Sequence, residues 1–371
     1  MMTAATHERP GVYSSYEASS LTAATASGGK VAIIAAMDNS RDGTEEDADI
    51  KEIRDVYQWT SYSRAVADVG DCTLSRLAQL AIRNGAAAVY GIPAKPIEDK
   101  DGGDDDDNGE AYHYTAAFAV AAAIEDVSVV VCDSTEETVQ NLLKEMVLKC
   151  SEARRERIAV VGGKAGETVT ELVKRAEGLN CERVVLVAPG MGDNSGGAGC
   201  AAAVAGAIAG TADPALPLGG AQLYGLEGLE QSYDDSDIDA LVRGGVTALE
   251  SLAGAYYVVR GVTTKTKTGD VKDATWRELS TVLVVDEVIP GIRNALRAKF
   301  SRAKNTEQTR GAIRSQTVME LEKRVSREII DSYEDVTVSA LEDDPTVCLV
   351  EFSFTVAHGL NQVWLSAHIT V

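Results

Sequence analysis

No apolar run in this 371-residue chain approaches the roughly 20 residues that a helix needs to cross a bilayer. The opening MMTAATHERPGVYSS has neither the basic patch nor the apolar core of a secretory signal, so the chain is expected to stay in the compartment where it is made. Six cysteines (Cys72, Cys132, Cys150, Cys181, Cys200, Cys348) form no CxxC pair, and four histidines (His7, His113, His358, His368) show no ligand spacing. That pattern argues against a zinc site and favours buried reduced thiols over disulfides. Basic residues are scarce too: 35 Lys and Arg stand against 57 Asp and Glu, a formal charge of -22. A nucleic-acid backbone or an anionic membrane would be repelled. The acid is concentrated in the first two thirds, where residues 1–249 hold 40 acids against 20 bases; from Glu250 onward the count is 17 against 15.

What is present is enough to build a core, since 45% of the residues are hydrophobic. Residues 1–29 are small and polar and read as an extended arm with a joint at Ala18 to Gly29. From Lys30 a rhythm sets in. VAIIAAM, AAAVYGIP, VSVVVC, RIAVVGG and RVVLVAPG read as strands, and CTLSRLAQLAIRNG, AYHYTAAFAVAAAIE, STEETVQNLLKEMVLKCSEARR and ETVTELVKRAEGL as the helices between them. Continuous Val/Ile strands alternating with helices predict an α/β fold with a mainly parallel sheet covered on both faces. Ser134, three residues before Glu137, has capping-box spacing.

After about Gly245 the pattern becomes α+β. AYYVVRGV and STVLVV read as strands, GIRNALRAKFSRA and QTVMELEKRVSREIIDSY as helices, the latter with Val318, Leu321, Val325 and Ile329 on one stripe. Val350, Phe352, Phe354 and Val356, then Val363, Leu365, Ala367, Ile369 and Val371, alternate as a terminal hairpin. Its apolar last strand is an edge hazard unless a partner receives it.

The chemical motifs fail one by one. In VAPGMGDNSGGAGCAAAVAGAIAG, Gly190 and Gly192 are followed by Ser195 where a dinucleotide fingerprint wants its third glycine, and GDNSGG misses the nucleophile elbow. VVGGKAGET has Lys164 without Walker A spacing. Close backbone packing accounts for these glycines better than a phosphate site does. In the acidic insert at 98–110, Asp104, Asp106, Asn108 and Gly109 fit calcium-loop positions, but Thr115 stands where the bidentate Glu belongs. A solvated loop is the better reading. Finally, Arg293 to Arg314 carries net charge +6, either as a solvated helix face or as a docking surface for an acidic partner.

Four stretches, in order, resemble the tail sheath proteins of contractile phages, R-type bacteriocins and related injection systems. They are RPGVYSS; VAPGMGDNSGGAGCAAAVAGAIAGTADPALPLGGAQLYGLEGLEQSY; DDSDIDALVRGGVTALESLAGAYYVVRGVTT; and the part from TWRELSTVLVVDEVIPGIRNALR to the final strand. Together they cover the arm and most of residues 183–371; none of them falls between about 38 and 180.

The resemblance implies a structural subunit with no catalytic, cofactor or metal site. It implies an N-terminal arm (1–29), an α/β outer domain (30–249) and an α+β inner, tube-facing domain (250–371) completed by the terminal strands. Partners would be copies of itself in a helical polymer, an inner tube protein, and baseplate and tail terminator proteins, with no nucleic acid and no membrane. The place would be the tail of a virion or injection particle assembled in the host cytoplasm, where the sleeve contracts without nucleotide to drive the tube through a target envelope. Pro10, Gly11, Val12 and Tyr13 would belong to the strand lent at the N-terminus, and Val363, Leu365, Ala367, Ile369 and Val371 to the C-terminal one. Charge, rather than the family, singles out Arg293, Arg297, Lys299, Arg302 and Lys304 as the tube contact. The competing expectation is an α/β nucleotide-binding enzyme with an oligomerisation domain, its site in the Gly190 to Gly199 loop.

Overall fold

The computed structural model describes residues 29–36, 54–94, 109–192, 196–269, 271–341, 344, 346–361 and 364–368. The acidic insert up to residue 108, the N-terminal arm through residue 28 and Asp193 to Ser195 lie outside the described residues.

The first half alternates strand and helix: β1 (Lys30–Ala36), β2 (Tyr57–Trp59), α1 (Tyr62–Val69), α2 (Thr73–Arg83), β3 (Ala88–Ala94), α3 (Gly109–Ala123), β4 (Val129–Cys132), α4 (Glu137–Glu152) and β5 (Ile158–Gly162). It continues as α5 (Val169–Leu179), β6 (Val184–Ala188), α6 (Gly196–Gly210), β7 (Gln222–Leu223), α7 (Asp235–Arg243), β8 (Val246–Leu252) and β9 (Ala255–Val258). Nine strands form one sheet in the order β2-β3-β1-β4-β5-β6-β8-β9-β7. The run from β3 to β8 is parallel, and β2, β9 and β7 join antiparallel at the flanks.

Successive side chains of a strand point to opposite faces, so each strand feeds two cores. Val31, Ile33, Val129, Val131, Ile158, Val160, Val185 and Val187 pack on the α2 and α6 side. Ala32, Ile34, Val130, Ala159, Val161 and Leu186 pack on the side of α3, α4 and α5. Both faces are dry, which is why the strands show no polar alternation.

Local signals set the helix ends. Thr168 and Glu171 close a capping box at α5, with the Thr168 N–H donating to Glu171 at 2.8 Å. The box expected at Ser134 is absent: α4 starts at Glu137, and the Ser134 hydroxyl accepts from the Glu136 N–H at 3.2 Å, a turn of its own. The buried Arg157 guanidinium donates to the Ala121 and Ile124 carbonyls and so closes the C-terminal end of α3.

Beyond the sheet come β10 (Lys267–Thr268), β11 (Val271–Lys272), α8 (Leu279–Phe300), α9 (Glu307–Val325), β12 (Ile330–Ala340) and β13 (Cys348–Val356). STVLVV, expected as a strand, is the first part of α8. Its β-branched residues favour a strand locally, but burial overrides them. Leu279 and Val282 seat in the sheet's core, while Val284, Val288 and Ile292, four residues apart, seat against Leu321, Ile329 and Ile330. A helix with two buried faces therefore ties the C-terminal unit to the sheet. The helix expected to run to Tyr333 stops at Val325; Glu328 turns the chain at φ 58, and Ile329 and Ile330 bury where β12 begins.

Candidate assembly surface

In open α/β sheets, ligands sit beyond the carboxyl ends of the parallel strands. Here that crevice is occupied by the protein itself. A Cβ on Gly162, at the end of β5, would lie 2.2 Å from the Gly197 carbonyl carbon in the first turn of α6, so only glycine lets these backbones touch. The Met191 N–H donates to the Gly196 carbonyl at 2.9 Å, and the Gly166 N–H to the Glu230 carboxylate at 2.6 Å. Buried Arg175 donates to Glu167 at 2.5 Å and to the Thr135 carbonyl at 2.8 Å, while the Gln140 amide donates to the Gly162 carbonyl at 2.9 Å. Lys164, the phosphate-loop candidate, instead pairs with Glu136 at 3.4 Å on the surface. Close packing thus explains the described part of the glycine stretch: α6 is buried along nearly its whole length and lies against β4, β5 and α2.

The described cysteines are free thiols, five of them buried, and burial pushes the Cys181 thiol up to about 11. Among the described residues no group of three or more His, Cys, Asp or Glu could hold a metal ion, and no helix is long and apolar enough to cross a membrane.

The basic segment divides in two. Arg293 is bound inward, donating to Glu156 at 2.8 Å, and two turns earlier Asp286 accepts from both terminal guanidinium nitrogens of Arg183 at 2.8 Å. These pairs join residues 137 and 103 apart in the chain, so no local motif announces them. Lys299 donates to Gln316 at 2.5 Å, holding α8 against α9. Arg297, Arg302 and Lys304 are exposed and have no ion pair among the described residues. Arg302 and Lys304 lie in the turn between α8 and α9.

The C-terminal strands differ from expectation in their pairing. β13 pairs antiparallel with β12, Val338 opposite Val350 and Tyr333 opposite Phe354, and forms no hairpin with the described residues that follow it. Phe352, Phe354 and Val356 turn towards Val284, Val288 and Leu321, so the apolar face of β13 is satisfied by α8 and α9, and β12 supplies the main-chain partner. Residues 364–368 are not strand, and Leu365 is 94% exposed. Ala367 is exposed as well; Val363, Ile369, Val371 and Pro10 to Tyr13 lie outside the described residues.

Two family models match the chain: the phage tail sheath protein central domain over residues 109–264 and the phage tail sheath C-terminal domain over residues 271–370. The chain belongs to the phage tail sheath family. This is a family of structural proteins, not of enzymes, and the central match reaches back to residue 109, well before residue 183, where the central stretches of resemblance begin. Solved sheath structures share the fold at low identity. A sheath tail protein from Desulfitobacterium hafniense, 13% identical, superposes with a TM-score of 0.65 over 93% of this chain and 100% of its own. One from Listeria innocua, also 13% identical, gives 0.66 over 89% and 92%. The helical sheath of the anti-feeding prophage in its contracted state, 13% identical, gives 0.67 over 98% and 99%. No curated protein sequence matches the chain.

Proposed function

We propose that this sheath subunit polymerises into a helical sleeve by exchanging terminal strands with its neighbours, and that the sleeve surrounds an inner tube and contracts to drive it through a target envelope. One observation carries the reading. β12 and β13 form a two-stranded sheet whose outer edges have no strand partner among the described residues. Two strands alone are marginal in water, and an open edge is a template for another chain. Beyond β13 the chain offers an exposed apolar stretch, Leu360, Trp364 and Leu365, suited to lie on a neighbour's edge. Pro10, Gly11, Val12 and Tyr13 would supply the strand lent from the other end, and Val363 to Val371 the C-terminal one.

The relatives support the setting, since anti-feeding prophage structures of both the helical sheath and the baseplate share the fold. The partners proposed are therefore copies of itself, a baseplate, a tube protein and a terminator, in the tail of a virion or injection particle. An outer and an inner domain fit this arrangement. The expected boundary at residue 249 falls inside β8, and we place it after Thr264, between the two family matches. With Arg293 committed to Glu156, Lys299 to Gln316, and Arg297 facing the cleft it shares with Arg154, the tube contact narrows to Arg302 and Lys304 in the α8–α9 turn. Contraction would release energy stored in a metastable packing, with added strands acting as hinges.

Deleting residues 1–20 is expected to leave soluble subunits that melt as the full chain does but form no sleeves in negative-stain micrographs. Normal sleeves from that variant would contradict strand exchange at the N-terminus.

A further inference from the structure

A cleft of about 530 Å³ opens where α8 meets the turn after α4, lined by Arg154, Pro290, Arg293, Asn294 and Arg297. Three guanidiniums converge there in a protein of charge -22. Among the described residues Glu156 makes the ion pair within the cleft, with Arg293, while Glu125, Asp286 and Glu287 line the adjoining cleft that shares Arg154 and Pro290. Arg154 is exposed, held in a left-handed turn at φ 65, and like Arg297 has no ion pair among the described residues. Behind the cleft, Arg155 and Arg157 donate to the carbonyls of Ala122, Ala121 and Ile124, so their positive charge has no carboxylate partner among the described residues either. The cleft is a local concentration of unneutralised cation, suited to carboxylates.

We propose that this cleft receives the acidic first turns of α7 from a second copy of the chain. The proposal rests on the sheath reading only in taking the chain to pack against copies of itself. A subunit of this net charge can stack on itself closely only where acid meets base. Asp234, Asp235, Asp237 and Asp239 crowd the start of α7, with Arg243 at its end. Asp234 is used as the N-cap, accepting from the Asp237 N–H at 2.8 Å. Asp235 and Asp239 are four residues apart on one helix face, about 5–6 Å from each other. Arg154 and Arg297, which line the cleft and have no ion pair among the described residues, give these two carboxylates two guanidiniums to meet. The Asp239–Arg243 pair, at 2.7 Å, is solvent-exposed on both sides, and such a pair gives way to a better partner at little loss.

The test uses the full chain. An R297K variant, mixed with an isotopically labelled copy and treated with a zero-length carbodiimide, is expected to yield an amide from position 297 to Asp235 or Asp239 of the other copy. R154E/R297E and D235R/D239R are each expected to lower the yield of pelletable polymer at least tenfold, and the chain carrying all four changes to recover it. Coupling only within one copy, or only to other carboxylates, overturns the proposal. So does a four-fold swap that fails to restore polymer while each reversed chain melts as the parent does. The coupling readout does not need sleeves. Intermolecular coupling without any polymer would sink the sleeve reading and keep this contact, and sleeves without the coupling would do the opposite.

Discussion

Gly206 lies so close to α2 that a Cβ on it would sit 2.3 Å from the Ala81 carbonyl oxygen, a backbone atom that cannot step aside. Gly206→Ala is therefore expected to destabilise the fold by about 1–3 kcal/mol, seen as a fall of several degrees in thermal midpoint. Gly178, exposed in α5 with nothing within 4 Å of a built Cβ, is the control: Gly178→Ala should be neutral or stabilising by up to about 1 kcal/mol. A fall of equal size at both positions would contradict the packing account of the small-residue helix. Glu156 carries a different kind of constraint. Burial, the largest single influence, would raise its carboxyl, but the hydrogen bond from Arg293, a backbone hydrogen bond and the charges of Arg293 and Arg183 together outweigh it and hold the group below the usual glutamate range. Its contribution to folding is thus complete above that range and lost as pH falls through the lowered value. The gap in thermal midpoint between the parent and Glu156→Gln should be open at neutral pH and should narrow as pH falls below the usual glutamate range. A gap that widens on acidification would reverse this assignment.

At the scale of elements, the parallel strands were legible because both their faces are buried, so VSVVVC and RVVLVA are apolar at every position. The glycine helix was legible because no enzyme motif fitted its spacing. What stayed hidden depended on distant contacts. STVLVV looks like a strand until Val284, Val288 and Ile292 are seen to share a face against Leu321. Val350 to Val356 shows an edge strand, but nothing local says that its partner is β12 rather than the residues after it. The acid–base pairs of α8 could not be foreseen from residues more than a hundred positions apart. The stretch after β13 carries the element-level prediction. Leu365 packs on little of its own chain, so removing residues 361–371 should change the thermal midpoint by no more than a surface substitution does, while abolishing polymer. A large loss of stability would mean that this segment completes its own subunit instead.

Across the whole molecule, the acid of residues 1–249 and the near-neutral remainder divide the surface between repulsion and contact. In the proposed sleeve an acidic exterior would keep finished particles apart and leave the exposed cations on and after α8 to choose partners. A body held together by a deep parallel sheet and two part-buried ion pairs at α8 can move as a unit, which is what the proposed contraction would require of each subunit. The account stands most directly on the strand partners of β12 and β13 in the assembled state. A cryo-EM reconstruction of polymer grown from the full chain should show the β12–β13 sheet widened by strands belonging to neighbouring subunits, one of them from residues 363–371. A sleeve in which every strand of that sheet comes from a single chain, with residues 1–28 and 363–371 folded onto their own subunit, would contradict it.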